Sequence, residues 1–367
     1  MNQFYLFMVP ISILALVIAA KIASIVLDYA PFSYPNARIM AKQGKLLSKT
    51  KFEELAEAHS LDEIVSMLKE TEYTDYLSEY VGEDYTISKI ERALNTHLAS
   101  IYDQIYSISP NKVKPVFEVL LKRWDIENII RTLRCIRANK DPREYLIKIG
   151  TFSDAQREQL AKAQSAEEVA MSVTSEFEHL LGSMQDEELV KIENELLYDY
   201  YSSLWEYLEN TRDKNLKLLK TFFGLQIDII NIMAALRINV MEEREEVAQD
   251  FLPVTYMVSH ESLKSIATAD DISMVISVLE KTPYADLFND LVPKYEEHRN
   301  ISVFEQALND MLISHGKEIS TLNPLGIGPS IGYLAQKQAE IRKLKTIIIG
   351  SYERIDPERI KEMVGVS

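Results

Sequence analysis

A single cysteine, Cys135, among 367 residues excludes an internal disulfide. It lies in an apolar helical run and reads as a small buried hydrophobe in a reducing compartment. Glycine and proline are scarce, at 11 and 12 residues, and alternating strand-like stretches are few. Leu, Glu, Lys, Ala and Ile dominate instead, which predicts an all-α fold. Basic residues are in deficit, 40 against 56 acidic ones, for a net charge of −16. That argues against nucleic-acid binding, which needs clustered Lys and Arg to displace counterions. Anionic lipid surfaces repel such a chain too, so any membrane contact must be hydrophobic or run through a protein partner. At 47% hydrophobic residues the chain can bury a large core.

Catalytic patterns are also missing. There is no Gly-x-x-x-x-Gly-Lys-Ser/Thr loop. Gly326, Gly328 and Gly332 lack the dinucleotide spacing and follow no strand; with Pro324 and Pro329 they read as a loop that re-aims the chain before the last helix. The six histidines (His59, His97, His179, His260, His298 and His315) are scattered, and His260-Glu261 has no second histidine at metal spacing. Solvent-facing or capping roles are expected for them. No catalytic residue, metal site, cofactor or small-molecule substrate is expected.

What is present begins with a long apolar run. Residues 4–20 carry no charge, Lys21 interrupts, and apolar residues continue to Asp28. The run is long enough to cross a bilayer as a helix, and Lys21 can snorkel to an interface. No positive charge precedes it other than the α-amino group, unlike a secretion signal. Lys21, Arg38, Lys42, Lys45, Lys49 and Lys51 all lie on its C-terminal side, which predicts the body on the cytoplasmic side. Tyr29-Ala-Pro31 and Tyr34-Pro35 form a short stiff connection.

The body repeats itself. Leu55-Ala-Glu-Ala-His-Ser60 with Leu-Asp-Glu-Ile64 returns as Leu160 to Val169 and as Leu263 to Ile272. Ser60, Ser165 and Thr268 each suit a helix N-cap, with the acidic pair in the first turn where the macrodipole favours it. Each helix is expected to end near a matching cluster: Tyr76-Leu77, Leu180-Leu181, Leu287-Phe288. A helix pair follows. Its first member carries Ile90-Glu91 and Leu94, Ile192-Glu193 and Leu196, or Phe304-Glu305 and Leu308. Its second carries Asp125-Ile126, Asn128-Ile129 and Leu133, or Asp228-Ile229, Asn231-Ile232 and Leu236, or Glu340-Ile341, Lys343-Leu344 and Ile348. The spacing from Glu91, Glu193 and Glu305 to Asp125, Asp228 and Glu340 is 34, 35 and 35 residues. Two anchors at one spacing in three places predict three similar helical subdomains of 31–155, 156–258 and 259–367, behind a helix in 1–30. One equivalent acid per subdomain points to shared packing or solvation, not to a catalytic trio. Arg123, Arg131, Arg134, Arg137 and Lys140 form the densest basic run, either a solvated helix face or a contact for an acidic partner. Tyr198, Tyr200, Tyr201, Trp205 and Tyr207 cluster and are expected mostly in the core.

The segments 123–134 (RWDIENIIRTLR), 226–237 (QIDIINIMAALR) and 329–348 (PSIGYLAQKQAEIRKLKTII), with Tyr34-Pro-Asn-Ala-Arg38 ahead of Leu46-Leu47, resemble the C subunit of archaeal A-type ATP synthases. The d subunit of vacuolar ATPases belongs to the same family. The resemblance covers about residues 32 to 364. It implies a pseudo-threefold funnel of three helical subdomains on the cytoplasmic face of the membrane rotor ring. The funnel accepts the foot of the central shaft and transmits torque without covalent chemistry. The implied partners are the proteolipid ring and the central-shaft subunits, with membrane contact through residues 4–27. The alternative is a membrane-anchored helical scaffold for another complex. The N-terminal run departs from the soluble family pattern; on a rotor it must turn with the ring, which it could do as a plug of the ring lumen.

Overall fold

The computed structural model describes residues 2–80, 82, 84–173, 189–241 and 251–366, and all regular elements among them are helical. Helix α1 (Asn2–Tyr29) passes through a 3-10 turn (Ala30–Phe32) into α2 (Ser33–Gln43). The stiff connection is thus helical, not extended. Pro31 and Pro35 occupy first-turn positions, where no intrahelical N–H bond is lost. Phe32 and Ile39 are buried and fasten this segment to the body.

Two short helices follow, α3 (Lys49–Glu57) and α4 (Leu61–Leu68), then α5 (Thr74–Leu77) and the long pair α6 (Ile87–Ile108) and α7 (Lys114–Arg137). Next come α8 (Asp154–Lys162) and α9 (Ala166–Ser172), then the pair α10 (Leu189–Glu209) and α11 (Lys214–Met241). Then follow α12 (His260–Ala267), α13 (Ile272–Leu279), α14 (Tyr284–His298), the pair α15 (Ser302–Leu322) and α16 (Gly328–Tyr352), and α17 (Pro357–Val364).

The starts of the short helices share one chemistry. Ser48, Ser153 and Ser259 cap α3, α8 and α12, each accepting the backbone N–H three residues on. Ser60 and Ser165 cap α4 and α9 by accepting the N–H of Glu63 and Glu168. Those glutamates reach back to the N–H of His59 and Gln164, both at 2.8 Å. Thr268 does not cap a helix start. It closes the C-terminus of α12, and Asp271 caps α13 through the N–H of Met274. Aspartate accepts that bond as well as serine does, so the cap slides three residues along without loss.

The expected helix ends shift for a related reason. Helices α4 and α13 stop at Leu68 and Leu279, because Thr71 and Thr282 take those carbonyls with their hydroxyls. The same two hydroxyls accept the N–H of Tyr73 and Tyr284. Tyr76-Leu77 and Leu287-Phe288 therefore sit in the next helices, α5 and α14. Leu180-Leu181 and His179 lie outside the described residues. The boundary expected at residue 155 falls inside α8, one residue past its start.

Buried apolar residues gather in two clusters. The larger runs from Phe32 and α6 through α11 to the first turns of α16. The smaller joins Phe52, Leu55, Ile64 and Leu68 of α3 and α4 to Leu344, Ile347 and Ile348 of α16 and Ile360 of α17. The early part of the chain is thereby packed on its late part. Cys135 is buried and free. Tyr200 is buried, while Tyr198 is exposed.

The cap assignment has a direct check. Asp271→Ala is expected to lower the unfolding free energy by about 1 kcal/mol, and Thr268→Ala by less than about 0.5 kcal/mol, in urea denaturation followed by circular dichroism. Equal losses would contradict it.

Candidate functional site

Three fully or nearly fully buried carboxylates stand at the centre of the packing: Asp125 on α7, Asp228 on α11 and Glu340 on α16. Asp125 accepts the N–H and hydroxyl of Thr151 at 2.7 and 2.6 Å, and the N–H of Phe152 at 3.1 Å. Asp228 accepts the N–H groups of Tyr256 and Met257 at 2.9 and 2.7 Å. Glu340 accepts the N–H of Leu47 at 2.7 Å. In each case the bound residues directly precede a serine-capped helix: α8, α12 and α3. These lead-ins lack regular structure, so no helix ladder pairs their N–H groups, and Phe152 among them is buried. A carboxylate can take several such donors in charge-assisted bonds. Burial pushes the Asp125 and Asp228 carboxyls up, and their hydrogen bonds pull them only part of the way back.

Asn128 and Asn231, one turn further along, add a second clasp. Asn128 exchanges both bonds with Ile147, at 2.7 and 2.8 Å. Asn231 accepts from Leu252 and donates to Val254. Lys343 replaces the amide in α16. Gly150 completes the first junction: its φ of +150° suits glycine, and a Cβ there would lie 2.1 Å from an Asp125 oxygen.

Two tyrosines extend these sites. Tyr284 donates to Asp228 at 3.0 Å and Tyr73 to Glu340 at 2.7 Å. Around Glu340 the network also takes in Lys337, wholly buried, whose ammonium lies 2.6 Å from Glu340 and 3.6 Å from Glu72. Glu72 in turn faces Lys42 and Lys45. His97 departs from its expected surface role. It is buried between Tyr73 and Tyr76, with both ring nitrogens unpaired. Burial, aided by the charges of Lys337 and Lys42, lowers its pKa to about 3. The repeat pattern does not mark Tyr73, Tyr284 or Lys337, although Thr-x-Tyr at 71–73 and 282–284 is a readable signal.

The other recurring acids pair across helices. Glu193 on α10 binds Arg134 on α7 through two bonds of 2.7 and 2.5 Å. Glu305 on α15 meets Arg237 on α11 at 3.2 Å. The charge of Glu91 on α6 acts on Lys345 of α16, whose pKa burial nonetheless depresses. Of the basic run, Arg131 binds Glu127 at 3.0 Å and the Tyr145 carbonyl, and Arg123 lies 3.4 Å from Glu127. Arg137 is exposed and makes no ion pair among the described residues. Arg123 also lines a cavity of about 220 Å³ with Gln226 and Gln338. Each of these three residues stands two positions before one of the buried acids.

Chemically, each acid is held by backbone N–H groups together with a hydroxyl or, at Glu340, a hydroxyl and an ammonium. Among the described residues no three His, Cys, Asp or Glu side chains gather as metal ligands would. The arrangement fastens helices to one another. The chain belongs to the ATP synthase (C/AC39) subunit family, whose model matches residues 35–363. The C subunit of the A-type ATP synthase from Thermococcus onnurineus is 34% identical over 94% of this chain and 93% of its own length. Its counterparts from Methanocaldococcus jannaschii and Methanosphaera stadtmanae are 33% and 30% identical, over 94% and 98% of this chain and 88% and 94% of their own lengths. The chain is accordingly an ATP synthase subunit of the archaeal A-type.

Two measurements probe the Glu340 network. Glu340→Gln leaves the buried Lys337 charge only its longer contact with Glu72 and is expected to cost about 3 kcal/mol, much of which Lys337→Met in the same chain should restore. Additive losses in a urea double-mutant cycle would rule out the pair. For His97, the folded pKa lies below the ordinary 6.5, so the unfolded chain binds the proton better between those values. Stability should therefore fall as pH drops from 6.5 towards 3, by about 1.4 kcal/mol per pH unit from this group. In His97→Phe that part of the slope should vanish, as read from urea midpoints between pH 7 and pH 4.

Proposed function

We propose that this chain is a non-catalytic central-stalk subunit that couples the membrane proteolipid ring to the central shaft and transmits torque between them. Its segments 31–155, 156–258 and 259–367 are read as three copies of one unit closed into a ring, the funnel of the family resemblance. The observation that carries this reading is the direction of the junctions. Asp125 on α7 clasps the lead-in to α8, Asp228 on α11 that to α12, and Glu340 on α16 that to α3, 293 residues back along the chain. Two ion pairs follow the same order, α7 to α10 and α11 to α15. A linear stack has two free ends. A body whose late helices hold its early ones has none, and it resists twisting about its own axis.

The body is placed on the cytoplasmic side, with membrane contact through residues 4–27. Helix α1 supports this: its described apolar side chains, from Ile13 to Leu27, are largely exposed. Residues Ile13–Gln43 are long and apolar enough to cross a membrane by composition. Nucleic acid and small-molecule substrates are not among the proposed partners. Arg137 is offered as a partner contact, and Arg123 only if its bond to Glu127 is exchanged for one to a partner. Arg131 and Arg134 are engaged within the chain.

Gentle purification of the tagged chain from native membranes tests the reading. Recovery of a proteolipid ring and shaft subunits in fixed proportion is expected, together with no ATPase activity in the isolated chain. A membrane-anchored complex lacking both would favour a static scaffold instead.

A further inference from the structure

Helix α1 leaves the body at a particular point. Three tight turns join the long helix pairs: 109–113 between α6 and α7, 210–213 between α10 and α11, and 323–327 between α15 and α16. The first and third meet the segment Asp28–Asn36 directly, and the second is joined to both of them there. The Lys112 ammonium sits 3.9 Å from the Asp28 carboxylate and 3.8 Å from Asp213, and 5.4 Å above the Phe32 ring. It also donates to the Asp28 carbonyl at 3.4 Å. Asn36 donates to the carbonyls of Pro324 and Gly326, both at 3.0 Å. Ile327 in turn donates to Asn215, tying the third turn to the second. Equivalent turns of three units arranged in a ring can share one contact point only near the axis that relates them. The root of α1 is therefore axial.

The root is also rigid. Tyr29, Phe32 and Ser33 all have right-handed helical backbone angles, so helix, 3-10 turn and helix follow one another without an extended residue. Phe32, Asn36 and Ile39 are buried beneath it. Such a joint leaves α1 no swivel with which to reach lipid at a distance from the axis. Residues 4–27 span about 36 Å as a helix, enough for a hydrocarbon core of about 30 Å. The exposed apolar side chains of 13–27 include Leu14, Leu16, Val17 and Ile18, consecutive enough to point to every side. A helix apolar all round asks to be enclosed by apolar matter on all faces. Lys21 lies about 12 Å from the root, within reach of the cytoplasmic interface by snorkelling.

We propose that α1 stands in the central lumen of the membrane ring on which the body docks, and turns with that ring as an axial pin. This rests on the coupling role proposed above. A helix rooted off the axis would sweep through the surrounding membrane at each turn. One rooted on it, and held stiffly, rotates in place.

The test uses the assembled complex in native membranes, with a photo-crosslinking residue placed singly at Leu16, Val17, Ile18 or Ala20. These positions cover successive faces of the helix and lie outside the packed body. Crosslinks to the ring proteolipid from all four positions are expected. Crosslinks to a stationary membrane protein of the complex, to lipid alone, or to proteolipid from one face only would overturn the lumen placement. In those cases a ring that still co-purifies leaves the coupling role intact. Absence of any ring from the purified complex would overturn both.

Discussion

A buried carboxylate that accepts the backbone of a neighbouring lead-in is the interaction on which this structure turns. Each of Asp125, Asp228 and Glu340 lies inside a long helix, where it could satisfy nothing of its own helix ladder. Each faces an irregular stretch of chain that leads into the next capped helix. Without the acid, one or two backbone N–H groups at each junction would lose their partner, at a cost of about 1–3 kcal/mol for each that is buried. With it, the serine-capped helix that follows is held in place against the long pair. Packing of the short helices, and hence of both apolar clusters, follows from that placement.

The three sites are not equally built. Asp125 recruits a threonine hydroxyl and needs a glycine beside it, whereas Asp228 recruits Tyr284. Glu340 makes one backbone bond and relies on Tyr73 and Lys337 for the rest. The longer glutamate side chain and the buried ammonium mark the place where the chain meets its own beginning. A junction between segments nearly 300 residues apart gains nothing from chain connectivity, so it depends on stronger local contacts. The second apolar cluster, shared by α3, α4, α16 and α17, supplies the remainder.

Local chemistry is readable from sequence, and long-range chemistry is not. Ser60 and Ser165 can be recognised as caps because the bonds they make lie within three residues. Thr268 misleads because a cap is a function and not a fixed register: Asp271 does the same work three positions on. Thr71 and Thr282 likewise break helices that periodicity alone would extend. The spacing from Glu91, Glu193 and Glu305 to the three acids marks all six positions, but not what they touch. The partners of Arg134 and Glu340 are 59 and 293 residues away, and no pattern within one segment contains them. His97 is unreadable for a different reason. Nothing in its own helix says that Tyr73 and Tyr76 will close over it.

The second apolar cluster also bears on how the chain is made. Phe52, Leu55 and Ile64 leave the ribosome early, yet the late side chains packed with them, from Ile341 to Val366, come about 290 residues later. At about 5–20 residues per second the early helices wait some tens of seconds with their apolar faces open. Throughout that interval they offer a sticky surface to any neighbouring chain at the same stage. Demand for chaperone protection therefore falls chiefly on the part of the molecule synthesised first.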